Sequence, residues 1–285
     1  NPEPLRDVYI KGQVRYYVQN KKSVLPPNCT NKSYFIDLQF CEPDSFCSRI
    51  KNPANYAILK QKVYASQQKK APKPAEPGSP KAIEQAWETD YKNNPNSGQF
   101  DDFVKEQLDK FASRLQPHHK VLDLGCGKGR KAEYLAAKKL ELVGLDTSKV
   151  AIQFAKDNFK SARFINGNAL KLPFDHDSFD GIAAISLQDC LDKKGRKKLV
   201  KEVTRVLKSG GNLLLIVLAN GDTSVIDGEE VKPRTFLQKS GKLFHLFNQE
   251  ELEDLWHEYE LEIERHEKKD GDTISACFVM FAKRV

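Results

Sequence analysis

The chain has 285 residues, of which 39% are hydrophobic and 30% charged, which suits one large domain plus a small one, each water-facing outside and apolar within. The longest apolar run, Leu213 to Ala219, has the length of a buried strand, so a membrane-spanning helix is excluded, and no charged-then-apolar leader opens the sequence. The net charge of +7 is uneven: residues 1–80 hold 13 Lys and Arg against 6 Asp and Glu, whereas the remainder holds 33 of each. That split points to an acidic partner for the first 80 residues, whether nucleic acid, a membrane surface or an acidic protein, or else to a solvated basic surface.

In chain order, residues 1–66 read as a small, partly β domain. Val8 to Val18 and Tyr34 to Phe40 are aromatic-rich and partly alternating, as strands are, and Tyr56 to Ala65 suits a helix or a strand. Six of the nine tyrosines (Tyr9, Tyr16, Tyr17, Tyr34, Tyr56 and Tyr64) lie there among lysines. Residues 67–80 contain a Pro/Lys-rich stretch and read as an extended linker. From residue 81 to 285 the pattern becomes regular. Val104, Leu108, Phe111 and Leu115 form one face of a helix over 103–115. Strands are expected at 120–124, 140–145, 162–166, 179–185, 211–219, 260–266 and 274–282, with helices between the first five and a tight turn at Lys268 to Asp272. The expectation is an α/β fold: a doubly wound, mostly parallel seven-stranded sheet beside the small partly β N-terminal domain.

The six cysteines form no CxxC pair and have no histidine at zinc spacing, so neither a disulfide framework nor a metal site is expected. Asn28-Cys29-Thr30 and Asn31-Lys32-Ser33 match the short glycosylation pattern. The overall expectation is nevertheless a reduced, cytoplasmic protein.

The chemistry concentrates in Val121 to Arg130. A short apolar strand ends in Asp123 and runs into a turn with glycines at 125, 127 and 129. Glycine lets the backbone turn sharply and approach a ligand closely. A nicotinamide fingerprint needs a glycine at position 130, where Arg130 stands. The D-x-G-x-G-x-G order instead resembles motif I of the class I S-adenosylmethionine-dependent methyltransferases, whose tellurite-resistance-like and related small-molecule members are the most similar. Three further segments follow in the family's order. Leu142 to Asp146 ends a second strand in an acid. Phe164 to Phe174 resembles the family's G-D-A-x-x-L-P-F, with Asn168 in place of the acid. Ser178 to Ile185 and Arg205 to Gly211 resemble the fourth-strand signature and the turn before the fifth. The resemblance covers residues 81–285 and implies S-adenosyl-L-methionine as cofactor. It implies that Asp123, Gly125, Cys126, Gly127 and Gly129 hold the methionine part, that Asp146 and Thr147 face the ribose, that Asn168 and Ala169 face the adenine, and that Ser186 lies beside them. Trp87 and Tyr91 resemble a W-x-x-x-Y lid over the cofactor, or else form an amphipathic helix face.

The segment after the fourth strand, Ser186 to Asp192, is not of the N-P-P-Y type that acts on amino groups of bases or glutamine. Asp189 and Asp192 are its polar candidates for catalysis, with a helix cap as the alternative. His245, between Phe244 and Phe247, is a further candidate, with packing as the alternative. A small-molecule acceptor is the expected substrate, without a membrane partner. The competing readings are an RNA or protein methyltransferase that docks its substrate on residues 1–80, and a cofactor-binding scaffold that has lost its chemistry.

Overall fold

The computed structural model describes residues 75–94, 96–98 and 100–285, together with the backbone of 6–10 and 13–17. The chain divides into two compact units, 1–74 and 75–285. In the first unit, β1 (Arg6–Ile10) pairs antiparallel with β2 (Gln13–Tyr17), Arg6 lying opposite Tyr17. The expected elements at Tyr34 to Phe40 and Tyr56 to Ala65 lie outside the described residues, as do the N-terminal tyrosine side chains.

The second unit opens with α1 (Pro80–Asn93). Ser79 caps it by accepting from the Ala82 N–H at 3.3 Å, and Pro80 suits the first turn, where no N–H is needed. This helix begins inside the stretch read as linker, and Trp87 and Tyr91 lie within it. α2 (Asp102–Ser113) is capped by Asp101 and buries Leu108 and Phe111, as its periodicity predicts.

The sheet follows: β3 (Lys120–Leu124), α3 (Arg130–Ala136), β4 (Glu141–Asp146), α4 (Lys149–Asn158), β5 (Ala162–Asn166), β6 (Phe179–Ile185), a 3₁₀ turn at Gln188–Cys190, α5 (Lys193–Val206) and β7 (Leu207–Leu218). The small strands β8 (Glu229–Lys232), β9 (Thr235–Leu237) and β10 (Leu243–His245) come next, then α6 (Gln249–Leu255), β11 (Tyr259–Asp270) and β12 (Thr273–Arg284). The large sheet has the order β11-β12-β7-β6-β3-β4-β5; β7, β6, β3, β4 and β5 are parallel, and β12 and β11 add antiparallel. The fold is thus the seven-stranded, mostly parallel arrangement that the sequence predicts. Alternate residues of each strand enter opposite cores: Leu122, Val143 and Leu215 join one cluster with Phe247 and Trp256, while Val121, Leu142 and Leu214 join the other with Phe111 and Leu135. Among the described residues, no helix is long and apolar enough to cross a membrane.

Two expectations need correction. No helix joins β5 to β6. Asn168 closes a turn by accepting from the Leu170 N–H at 2.8 Å, and Pro173 lacks an N–H. The backbone of this segment is satisfied by α5 instead: the Leu172 N–H donates to Glu202 at 2.6 Å, and Arg205 donates to the carbonyls of Phe174 and Leu172. The second correction concerns the stretch 220–244, read by its length as a long connection that roofs the site. It contains most of a three-stranded antiparallel sheet, β10-β9-β8. β8 is exposed throughout, so no apolar alternation announced it.

Candidate functional site

β3 connects onward to β4 on one side, while β6 lies on its other side, so the strand order reverses between β3 and β6. Ligands of open α/β sheets bind outside the carboxyl ends of the strands at such a point. The loops that leave β3 and β6 there begin with Gly125 and Ser186. A cleft of about 870 Å³, counted out to open solvent, lies at this place. Its floor carries Gly125, Asp146, Thr147, Asn168, Ala169 and Ser186, all expected from the sequence. Its cover carries Ile83, Trp87 and Tyr91 from α1, and Leu170, Leu187 and Leu191 complete an apolar wall.

Asp146 is the structural hub of the floor. Its Oδ2 accepts from the Gly127 N–H at 2.9 Å and its Oδ1 from the Ser148 N–H at 2.8 Å, which ties the loop after β3 to the start of α4. Burial pushes its carboxyl up, and the two N–H donors pull it back. The cap of α4 is Ser148, which accepts from the Ala151 N–H at 3.0 Å, so Asp146 is left for the cleft. Asp123 is fully buried, and neither of its carboxylate oxygens has a hydrogen-bond partner. Burial raises its carboxyl to about 6, against the opposing pull of Lys131.

The glycines of the loop divide their tasks. Gly125 faces the cleft. A Cβ on Gly127 would stand 2.6 Å from the Tyr91 hydroxyl, and one on Gly129 would stand 2.7 Å from the Phe164 ring and 2.8 Å from the Ala155 Cβ. Gly127 therefore admits the cover residue, and Gly129 lets α4 and β5 close on the loop. Neither lines the cleft. Cys126 is buried and turned into the core, so its side chain does not reach the cleft either. Ser186 holds a left-handed backbone, φ 55°, rare for a residue with a Cβ, and exposes its side chain to the cleft.

The cover is fastened through two acids in its second half. Glu88 accepts from the Ser148 hydroxyl and, at 3.4 Å, from the Val150 N–H. Asp90 pairs with Lys242 at 2.9 Å and accepts from the Ser97 hydroxyl at 2.5 Å. The Lys242 ammonium also lies 4.2 Å from the Trp87 ring centre, and Phe244 meets the same ring edge-on at 6.1 Å. The W-x-x-x-Y pair is thus both a helix face and a cover. The small sheet missed in the sequence holds it down. Ser79-Pro80 was the readable signal for this helix.

The three catalytic candidates fare differently. Asp189 is 1% exposed and lies within the 3₁₀ turn, where the backbone of Asp189, Leu218 and Cys190 favours its charged form against burial. Burial raises it to about 7. It does not line the cleft. His245 is 3% exposed and also lies away from the cleft lining; its Nδ1 meets the Thr235 hydroxyl at 2.8 Å and its Nε2 meets Glu251 at 2.9 Å. Both ring nitrogens are engaged, so His245 is a packing and hydrogen-bonding residue. Asp192 lines the cleft mouth, but its Oδ1 caps α5 by accepting from the Gly195 N–H at 2.6 Å.

The fold and the glycine loop define a class. Residues 121–211 match the family model described as a methyltransferase domain. The matched segment runs from β3 to the start of β7. Over 113 residues it is 37% identical to a demethylmenaquinone methyltransferase of Thermotoga maritima, covering 39% of this chain and 48% of that one. Among solved structures it resembles a SAM-dependent methyltransferase of Methanosarcina mazei, at 24% identity and TM-score 0.55, covering 66% of this chain and 99% of that one. It also resembles the 1,6-didemethyltoxoflavin-N1-methyltransferase of Burkholderia thailandensis, solved with S-adenosylhomocysteine, at 15% identity and TM-score 0.59, covering 72% and 88%. The chain spans about half the length of the curated relatives it matches.

Proposed function

We propose that this chain is an S-adenosylmethionine-dependent methyltransferase acting on a small-molecule acceptor. The observation that carries the reading is Asp146 at the switch-point cleft, whose two oxygens each hold one backbone N–H and keep a further lone pair for a ribose hydroxyl. The residues present fit the cofactor. Thr147, Asn168, Ala169 and Leu170 line the side of the cleft beyond Asp146 and would hold the base. Asp123, fully buried behind the loop that follows β3, would favour the cofactor's ammonium through its charge and not by lining the cleft. When bound, S-adenosylmethionine supplies a methyl group already activated on a sulfonium.

What the chain contributes is positioning. α1 excludes water above the cleft, and Ile83, Trp87, Leu187 and Leu191 present an apolar wall to an acceptor. Asp189 and His245 are spent on the fold, and Asp192 is spent partly on a cap. The arrangement therefore suits an acceptor that gives up its own proton easily near neutral pH. The small-molecule acceptor is supported by the Thermotoga relative, named for demethylmenaquinone, and by an Aspergillus nomiae O-methyltransferase that is 30% identical over 103 residues. A screen with methyl-labelled cofactor over metabolite, RNA and protein pools tests it. Label is expected in the low-molecular-weight fraction; label confined to RNA or protein overturns the acceptor assignment.

A further inference from the structure

α5 carries a face that the fold does not use. Residues 193–201 hold five lysines and one arginine, and no acid. At roughly 100° per residue, Lys193, Lys194, Lys197, Lys198 and Lys201 fall on one arc of roughly 140°, about 12 Å long along the axis. All five are exposed, while Gly195, Arg196, Leu199, Val203 and Val206 on the opposite side are buried. The other charges of the helix are spent on the fold. Arg196 pairs with Glu251 at 3.3 Å, and Glu202, the one acid of the helix, holds Arg205 at 2.9 Å and the Leu172 N–H at 2.6 Å. Lys198 acts on Glu202 only through space, and among the described residues none of the five lysines makes an ion pair. The face works against its own helix in two ways. Lys193, Lys197 and Lys201 stand one turn apart and repel one another, as do Lys194 and Lys198. Lys193 and Lys194 also sit in a first turn without an acid, where the helix dipole disfavours cations. Local rules broken with no gain to the fold mark places kept for function.

The face begins at the mouth of the cleft. Leu191 and Asp192, just before its first turn, line the mouth. Leu170 lines it too and lies 3.6 Å from where a Cβ on Gly195 would stand, with the exposed Lys171 next in the chain. The apolar wall therefore gives way at its rim to uncompensated positive charge. The lining itself holds no cation: Asp146 apart, its charged residues are Glu84 and Asp192, both acids. A phosphodiester strand led from the lysines into the cleft would meet those acids, which disfavours a nucleic acid. An anionic bilayer suits both parts, because headgroups meet the lysines while an apolar acceptor passes from the bilayer to the wall. We propose that the lysine face of α5 docks this protein on an anionic lipid surface, beside which the cleft collects its acceptor. The inference rests on the small-molecule reading of the cleft. The contact is electrostatic and superficial, so it needs no membrane-spanning helix, and among the described residues there is none.

The test is co-sedimentation of the full chain with vesicles of phosphatidylcholine alone, or with about a third phosphatidylserine, at low and high salt. Two triple variants are compared with the parent. Lys197→Gln/Lys198→Gln/Lys201→Gln strips the outer face of α5 without touching the cleft lining. Lys268→Gln/Lys269→Gln/Lys283→Gln removes the same charge from exposed positions on β11 and β12. The basic first 80 residues are the same in all three proteins, so their charge cancels in the comparison. The parent should bind the anionic vesicles at low salt, leave them at high salt and ignore phosphatidylcholine alone. The α5 variant should bind ~10–100-fold more weakly, and the β11–β12 variant should stay close to the parent. The α5 variant loses like-charge repulsion, so it should unfold no earlier than the parent, which separates lost docking from lost fold. No binding to anionic vesicles, equal weakening in both variants, or an unweakened α5 variant overturns the proposal. Salt-sensitive retention of mixed RNA that the α5 variant abolishes, with vesicles left unbound, overturns it in favour of a nucleic acid. Failure on vesicles leaves the acceptor reading standing, whereas methyl label confined to RNA or protein overturns that reading itself.

Discussion

Replacing Asp146 separates what this residue does for the fold from what it does for a ligand. In Asp146→Ala the N–H groups of Gly127 and Ser148 lose their acceptor. Each buried donor left unpaired costs about 1–3 kcal/mol. Relief from burying a carboxylate whose pKa is already raised by desolvation offsets part of this. The net loss is roughly 2–4 kcal/mol, a large share of the few kcal/mol by which a domain is stable. For a unit of this size that is a fall in Tm of roughly 4–16 °C. Asp146→Asn keeps one acceptor oxygen and should lie between the two. Differential scanning calorimetry reads the stability, and titration with S-adenosylhomocysteine reads the binding. Asp146→Asn should also weaken binding by about 1–3 kcal/mol beyond any loss of folded fraction, because an amide cannot accept at both positions. A Tm for Asp146→Ala within about a degree of the parent would refute the structural half of the argument. Unchanged affinity in Asp146→Asn would refute the ribose assignment.

Other consequences follow from single contacts. Gly129→Ala puts a Cβ 2.7 Å from the Phe164 ring in a backbone of φ +79°, so urea unfolding should show a loss of ~2–4 kcal/mol; a loss below ~0.5 kcal/mol would mean the packing yields. Asp189 is protonated up to about 7 in the fold against 3.8 for the unfolded chain, so the folded state holds an extra proton in that window and stability falls as pH rises through it. Asp123, raised to about 6, acts in the same direction, so Asp189→Asn should flatten the fall without abolishing it, and an unaltered slope of urea midpoint against pH contradicts the burial argument. Lys242→Met removes the ion pair to Asp90 and the cation over Trp87. It should loosen the cover by about 1–2 kcal/mol and raise acrylamide quenching of Trp87, while Trp256, 1% exposed, stays protected; identical quenching would show that α1 does not depend on this anchor.

The sequence was most legible where one rule dominated. β3, β5 and β6 have the predicted ends because short apolar runs are closed by Gly or turn residues on both sides. The cleft floor was legible because a glycine turn directly after one strand and an acid at the end of the next are local features of the sequence, and Gly125 and Asp146 of these line the cleft. The region from Asn168 to Phe174 was misread because its backbone partners, Glu202 and Arg205, lie some 30 residues away in the chain, and no local pattern reveals them. The sheet at 229–245 was hidden for a related reason: its strands are short and β8 is wholly exposed. Asp189 and His245 looked available because polar residues usually stay wet; only the fold shows that Leu218, Thr235 and Glu251 claim them.

The central claim is that the cleft at the β3/β6 switch point holds S-adenosylmethionine. Isothermal titration of the full chain with S-adenosylhomocysteine and, separately, with a nicotinamide dinucleotide tests it most directly. The account predicts one S-adenosylhomocysteine per chain, micromolar or tighter, lost when a bulky residue replaces Gly125, with no dinucleotide binding. Saturable binding of the dinucleotide in place of S-adenosylhomocysteine would contradict it.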